Sequence, residues 1–376
     1  MKVDFFRHNI TAAERKELDQ TLRGLFISTG DKVAEFEKRF AEYLHVPYTV
    51  GVTSATAGLH LAIEALGIGK GDEVITTPMT FIASANAILH AGATPRLVDV
   101  EPDTGNIDAA RIEKAITKRT KAILPVHLYG QLCDMRAIHS IARAHKLKIV
   151  EDAAHAVEAV RDGVRVGELG DAAAFSFYAT KNMTSGEGGA ISVHTERLNT
   201  SLRQARTHGM SRDAAERYQR RFSHYDMKFL GWKYNMSNIQ AALLTPQIAR
   251  IESNLALRHK LYDLYKKELA GAPGIGFPVI RPKSRSALHL FTAWVPPRRR
   301  DRILWGLEEK GIGVAVNFRP LHLMTFYRKN FGFKRGMFPN AEALGDKVIT
   351  LPFYPSLKPA QVRYVAQSLK DILAAL

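Results

Sequence analysis

The chain has a single cysteine, Cys133, in 376 residues. One thiol cannot close an intrachain disulfide, and this usage fits a reducing compartment such as the cytoplasm. No apolar run is long enough to span a bilayer, so membrane insertion is not expected. The opening Met1-Lys2-Val3-Asp4-Phe5-Phe6-Arg7-His8 turns polar too early for a secretory signal. No zinc-ligand spacing and no nucleic-acid motif are present, so neither a metal site nor a nucleic-acid partner is expected. Acid is scarce relative to base, with 37 Asp and Glu against 53 Lys and Arg, a formal net charge of +16. Such a field steers anionic partners without choosing among nucleic acid, membrane surface and a nucleotide-linked substrate. The densest basic cluster, Arg298-Arg299-Arg300 with Arg302, follows Pro296-Pro297 and reads as a solvated turn. Internal repeats and low-complexity segments are missing too.

What is there is an ordinary globular composition, 46% hydrophobic and 24% charged, in a chain long enough for two domains. Thr11-Ala12-Ala13-Glu14 predicts a capping box at a first helix. Val33, Phe36, Phe40 and Leu44 predict a second helix over 32–44. Strand and helix patterns then alternate. Strands are expected over 48–52, 73–76, 96–100, 122–126, 148–151, 172–177 and 189–193, and helices over 55–66, 81–90 and 135–145. This alternation predicts an α/β fold, a mostly parallel sheet between helices. One or two helices over 240–269 follow. Strands over 289–295 and 313–318, flanking a helix over 301–310, and a last helix over 359–376 predict a smaller α+β unit. A boundary near 245 divides a large α/β domain, 1–245, from a small C-terminal domain, 246–376.

The tract Phe175-Ser176-Phe177-Tyr178-Ala179-Thr180-Lys181-Asn182 puts a lysine at the end of an apolar strand pattern. Glu151 and Asp152 end another. A lysine and an aspartate on two strand ends suit pyridoxal phosphate, the amine bonding the aldehyde and the carboxylate facing the pyridine nitrogen. Side chains alternate along a strand, so only one of the two acids should point into such a site. His155 could meet the ring oxygen or serve as a structural histidine. Thr53-Ser54-Ala55-Thr56-Ala57-Gly58 sits at a strand-to-helix junction, where free amides suit a phosphate or simply cap the helix. No lysine follows at the Walker position. Phe81 could stack on a pyridine ring or pack in the core. Gly186-Glu187-Gly188-Gly189 lets backbone come close to a ligand.

These pieces occur in the order found in a known family. Seven landmarks carry the likeness: Ser54 to Ala62, Gly71-Asp72-Glu73-Val74-Ile75, Val126-His127-Leu128-Tyr129-Gly130, Glu151 to His155, Ser176 to Asn182, Gly231 to Ser237, and Arg319-Pro320-Leu321-His322. Over nearly its whole length the chain resembles the DegT/DnrJ/EryC1/StrS sugar aminotransferases, within the fold-type I pyridoxal-phosphate enzymes. The resemblance implies that Lys181 bonds the cofactor and shuttles protons, that Asp152 pairs with the pyridine nitrogen, and that His155 approaches the ring hydroxyl. It implies that Phe81 stacks on the ring, and that Ala55, Thr56 and Ser176 hold the phosphate. Asn235 would reach the phosphate of a neighbouring subunit, making the active unit a homodimer with a shared site.

Asn317 stands where the family often has histidine, in a segment that tends to face the sugar nucleotide. Arg319 would meet the diphosphate or face solvent, and His322 completes the expected substrate set. The tract Asn317-Phe318-Arg319-Pro320-Leu321-His322 resembles enzymes that aminate C4 of UDP-linked keto-sugars with glutamate as donor, for lipid A, nonulosonate or surface polysaccharide synthesis. A C3 aminotransferase, a pyridoxal-phosphate sugar dehydratase and a non-catalytic regulator are the rivals. Retention of Lys181, which the dehydratase branch replaces with histidine, favours transamination.

Overall fold

The computed structural model describes residues 1–211 and 224–376. The capping box forms as expected. Thr11 accepts from the Ala13 amide, and Glu14 reaches back to the Thr11 amide, opening α1 (Ala12–Arg23). There follow α2 (Asp31–Leu44), β1 (Tyr48–Val52), α3 (Ala55–Ala65), β2 (Glu73–Thr76), α4 (Ile82–His90), β3 (Thr94–Leu97), α5 (Ala109–Ala115), β4 (Thr120–Ile123), α6 (Met135–Ala144) and β5 (Lys148–Asp152). Next come a short hairpin, β6 (Val160–Arg161) and β7 (Val164–Arg165), then β8 (Ala172–Ser176), β9 (Gly189–Val193) and α7 (Glu196–Ala205). The remainder holds α8 (Asn238–Ile248), α9 (Ile251–Glu268), β10 (Ser284–Arg285), β11 (Phe291–Trp294), α10 (Arg300–Glu309), α11 (Thr325–Phe331), α12 (Pro339–Lys347), β12 (Val348–Leu351) and α13 (Pro359–Ala375).

Seven strands form the central sheet in the order β1-β9-β8-β5-β4-β2-β3. The pairs β2–β3, β2–β4, β4–β5 and β5–β8 are parallel, and β9 alone runs against its neighbours β1 and β8. The fold is therefore α/β with a mostly parallel sheet. Strand residues alternate between two apolar layers. Ile149, Ala173 and Phe175 pack with Phe36, Phe40 and Ile138 of α2 and α6. Val150, Ala172 and Ala174 pack with Leu59, Ile63 and Ile88 of α3 and α4. A third core gathers Phe291, Ile303, Ile349, Val362 and Val365, and Val3 joins it through its bridge to Ile312.

Some boundaries moved. The strands expected over 96–100 and 122–126 lie two residues earlier at their starts, and helices α5, α7, α11 and α12 had not been expected. The expected strand over 313–318 does not form. Only Ala315 bridges Thr350 there, because the small sheet consists of β11 and β12 alone. Alternating Val314, Val316 and Phe318 imitate a strand, but every residue from 313 to 318 is only part-buried.

Candidate functional site

Parallel strands end on one edge of the sheet, and such edges collect ligands. β5 delivers Asp152 there, β8 delivers Ser176 with Lys181 five residues on, and β9 starts there at Gly189. The two acids of β5 part as the alternation requires. Glu151 is fully buried on the α2 and α6 side, where His127 Nε2 lies 2.8 Å away and the amides of Gly167 and Gly170 each donate at 2.9 Å. The Cys133 amide donates to His127 Nδ1, so Nε2 carries the proton that Glu151 accepts. Asp152 turns to the opposite face. Ser84 Oγ of α4 donates to its Oδ2 at 2.6 Å, and the Ala154 amide donates to Oδ1 at 3.1 Å.

Lys181 is part-buried in the loop after β8. Burial lowers its amine to about 8, against the opposing pull of the Asp152 charge. Lys181 Nζ lies 3.4 Å from His289 Nε2, and the His289 ring lies 4.3 Å from that of His155, three residues past Asp152, so the lysine and the end of β5 border one cleft. His155 lies beside them, and burial first, with the Lys181 charge second, holds its imidazole neutral, well below the ordinary range. The Tyr129 amide donates to His155 Nδ1 at 3.3 Å, so the neutral ring carries its proton on Nε2.

At the other end of the cleft, α3 begins. Ser54 takes the Ala57 amide with its side chain and the Gly58 amide with its carbonyl. Among the described residues nothing bonds the amides of Ala55 and Thr56, two of the four donors that open any helix. Ser176 pairs in register with Gly189, whose absent side chain lets β9 meet this turn. A Cβ there would stand 2.4 Å from the Ser54 carbonyl carbon and 2.6 Å from the Ala55 nitrogen. Two free amides, a nearby hydroxyl, a lowered lysine and a fixed carboxylate fit a phosphorylated pyridine aldehyde.

Phe81 stands at the N-cap of α4, 55% exposed as a residue, with its ring 6.0 Å from that of Phe318. Phe318 lies nearly parallel to His155, also at 6.0 Å, so the segment carrying Asn317 reaches the cleft. The Tyr129 hydroxyl donates to the Asn317 carbonyl, whereas Asn317 Oδ1 is buried with no hydrogen-bond partner among the described residues. Arg319 is exposed and donates to the Leu323 carbonyl at 3.3 Å. Asn235 lies beside the end of β1, bridged to Val52, and its amide donates to Thr29 Oγ1 at 2.6 Å. His322 is not delivered to the cleft. It is fully buried, with Nε2 at 3.0 Å from Glu342 and its ring 4.8 Å from that of Phe338. Glu342 also takes the amides of Gly336 and Phe338, so His322 braces a loop of the C-terminal part.

Four participants were missed from sequence. Ser84 follows Phe81 by one helical turn, a spacing that could have revealed it. Tyr129 had only its place in a motif. It holds a left-handed backbone, φ 57°, and its amide, carbonyl and hydroxyl tie His155, the His289 amide and Asn317 together. Phe318 had only its place in the Asn317 to His322 tract, and His289 arrives from a distant segment with no local signal.

Comparison with known proteins agrees with this geometry. The model of the DegT/DnrJ/EryC1/StrS aminotransferase family matches residues 8–370. The spore coat polysaccharide biosynthesis protein SpsC of Bacillus subtilis is 41% identical, with 96% of this chain and 94% of that protein covered. GDP-perosamine synthase of Caulobacter vibrioides is 40% identical, with 92% and 91% covered. The solved PMP form of Spr1654 from Streptococcus pneumoniae superposes with a TM-score of 0.94 at 33% identity, covering 100% of both chains.

Proposed function

The chain belongs to the DegT/DnrJ/EryC1/StrS aminotransferase family and is a pyridoxal-phosphate-dependent sugar aminotransferase; on that premise we propose that it moves an amino group from glutamate to a nucleotide-linked 4-keto-sugar, UDP-linked in the first instance. When bound, the cofactor supplies an aldehyde that carries the amino group and a protonated ring that draws electrons from the substrate carbon. Lys181, set 3.4 Å from a His289 that packs on the His155 ring, three residues past the Ser84-held Asp152, carries this reading.

Each residue then has a physical task. Lys181, with an amine near 8, can both release and accept a proton close to neutral pH. Asp152 keeps the proton on the pyridine nitrogen, and Ser84 keeps Asp152 aimed. His155 offers its Nε2 proton to the ring oxygen, because Nδ1 is already occupied by the Tyr129 amide. Ala55, Thr56 and Ser176 hold the phosphate, and Phe81 covers a ring face. Asn317, with its free oxygen, and Arg319 form the sugar-nucleotide side of the proposal. His322 has no part in it.

We place Asn235 at the phosphate of a second copy, so that the working unit is a homodimer. Leu25 and Leu230, 88% and 85% exposed, offer apolar surface for that copy to cover. The division near residue 245 and a cytoplasmic location belong to the same proposal. Among the described residues no helix is long and apolar enough to cross a membrane. The pathway reading, surface polysaccharide or a related sugar product, draws support from the relative named for spore coat polysaccharide. The relative named GDP-perosamine synthase makes GDP the second nucleotide to try.

The test is spectroscopic and then chemical. Protein reconstituted with pyridoxal phosphate should show the absorbance of lysine-bound cofactor, and glutamate should bleach it. Lys181→Ala protein should never show it. UDP-, GDP- and dTDP-linked 4-keto and 3-keto sugars are then offered to the bleached enzyme, and the product's regiochemistry is read. A band that glutamate leaves intact would sink the proposed donor, and amination at C3 the proposed position.

A further inference from the structure

His289 lies 5% exposed just ahead of β11, with its Nε2 3.4 Å from Lys181 Nζ. The hydrogen bonds behind it fix which nitrogen carries the proton. Arg258 Nη2 donates to Glu158 Oε1 at 2.5 Å and Arg258 Nε to the Ala287 carbonyl at 3.2 Å. Glu158 Oε2 and the Ala287 carbonyl are both acceptors, and the side-chain nitrogen of Asn182 meets each at 3.0 Å. The Asn182 oxygen must therefore face the other way, toward His289 Nδ1 at 3.2 Å. An oxygen can only accept, so Nδ1 is protonated and Nε2 of the neutral ring is a bare lone pair.

We propose that His289 is a positioning residue for Lys181, a fixed hydrogen-bond acceptor that holds the amine beside the cleft whenever it is free of the cofactor. The proposal rests on Lys181 being the cofactor lysine. It differs from a proton relay, because His289 is discouraged from taking a proton. Burial, the Lys181 charge, the adjacent His155 ring at 4.3 Å and the Arg258 charge all oppose its protonation. Across a small cavity of about 30 Å³, Arg7, His8 and Tyr354 complete the titratable groups around the pair. Asp152 acts on Lys181 from the cleft side. An acceptor that stays neutral orients the amine and stabilises its protonated form without competing for the proton.

The experiment uses cofactor-free protein, so it does not depend on the sugar or on turnover. The reactivity of Lys181 toward acetic anhydride is followed against pH by peptide mass spectrometry. Wild type should show a midpoint near 8. His289→Gln, whose carbonyl can stand in for Nε2, should keep it. His289→Leu should lower it by about one unit, roughly tenfold in the amine equilibrium, because the ammonium form loses its acceptor. An unchanged or raised midpoint in the folded leucine variant overturns the proposal. A second measurement avoids any demand on that variant's folding. Proton-coupled 15N spectra of histidine-labelled wild type, with His289 assigned from the glutamine variant, should show the Nδ1–H tautomer from about pH 6 to 9. An Nε2–H tautomer or an imidazolium in that range overturns it. If Lys181→Ala protein still shows the absorbance of lysine-bound cofactor, the functional reading fails separately, with the histidine tautomer readout unaffected.

Discussion

Ser84 Oγ sits 2.6 Å from Asp152 Oδ2, a helix hydroxyl bonded to a strand carboxylate 68 residues away. Thr80 Oγ1, at 2.7 Å from Ser84 Oγ, backs the hydroxyl from its far side. The carboxylate is therefore aimed before any ligand arrives, which removes an ordering cost from binding. Ser84→Ala should weaken pyridoxal phosphate binding about tenfold, the worth of one hydrogen bond to a charged group. Fluorescence titration of the cofactor-free protein measures this, and an unchanged affinity would show that Asp152 needs no such support.

Lys181 gives a signed dependence of stability on pH. Its folded value, about 8, lies below the ordinary 10.5. Below pH 8 both folded and unfolded chains carry the proton, and the cost of burying the charge is fully present. Between about 8 and 10.5 the unfolded chain binds more protons, so stability rises with pH, and above that window the cost is gone. Lys181→Met should therefore stabilise cofactor-free protein at pH 7 by about 2 kcal/mol, a gain that shrinks as pH climbs through the window. Urea denaturation at several pH values reads the gap, and one that stays constant would refute the assignment.

Gly189 is required by contact rather than by backbone angle. A methyl group there would press into the backbone of Ser54 and Ala55 at 2.4 and 2.6 Å. Relief would push β9 away from the first turn of α3, where Ala55, Thr56 and Ser176 converge. Gly189→Ala should lower stability by about 3 kcal/mol. Inorganic phosphate should also protect the variant less than wild type against thermal unfolding. Equal protection would place the phosphate elsewhere.

His322 should behave as a brace. Burial lowers its imidazole while Glu342 pulls the other way, so the pair is held mainly by its hydrogen bond. His322→Ala leaves Glu342 without one buried partner and should cost about 2 kcal/mol. The KM for the accepted sugar nucleotide should stay within about twofold of wild type, since binding contacts are untouched. A large rise in KM with normal stability would return His322 to the substrate site.

The central sheet was legible because its strands are short apolar runs punctuated by turn residues, and that punctuation is local. Lys181 and Asp152 could be proposed for the site on the same local signal, as polar residues at the ends of such runs. The strand expected over 313–318 did not form. Alternation recorded which residues could pair, but pairing needs a free neighbouring edge, and that is a property of the assembled sheet. His322 shows another limit, since a histidine in a motif looks the same whether it faces a ligand or a buried glutamate. His289 carried no signal at all. Its partner Lys181 lies 108 residues earlier.

By itself the sequence determined the order of elements, the period of each, and the chemistry available at each strand end. It also required that Glu151 and Asp152 face apart, because neighbouring side chains on a strand leave from opposite faces. The tertiary structure decided which of the two was given Ser84 and which His127, which histidine was given which tautomer, and which segment reached the cleft. Those outcomes depend on hydrogen bonds between residues far apart in the chain, and such bonds acquire a direction only when the packed layers bring donor and acceptor together.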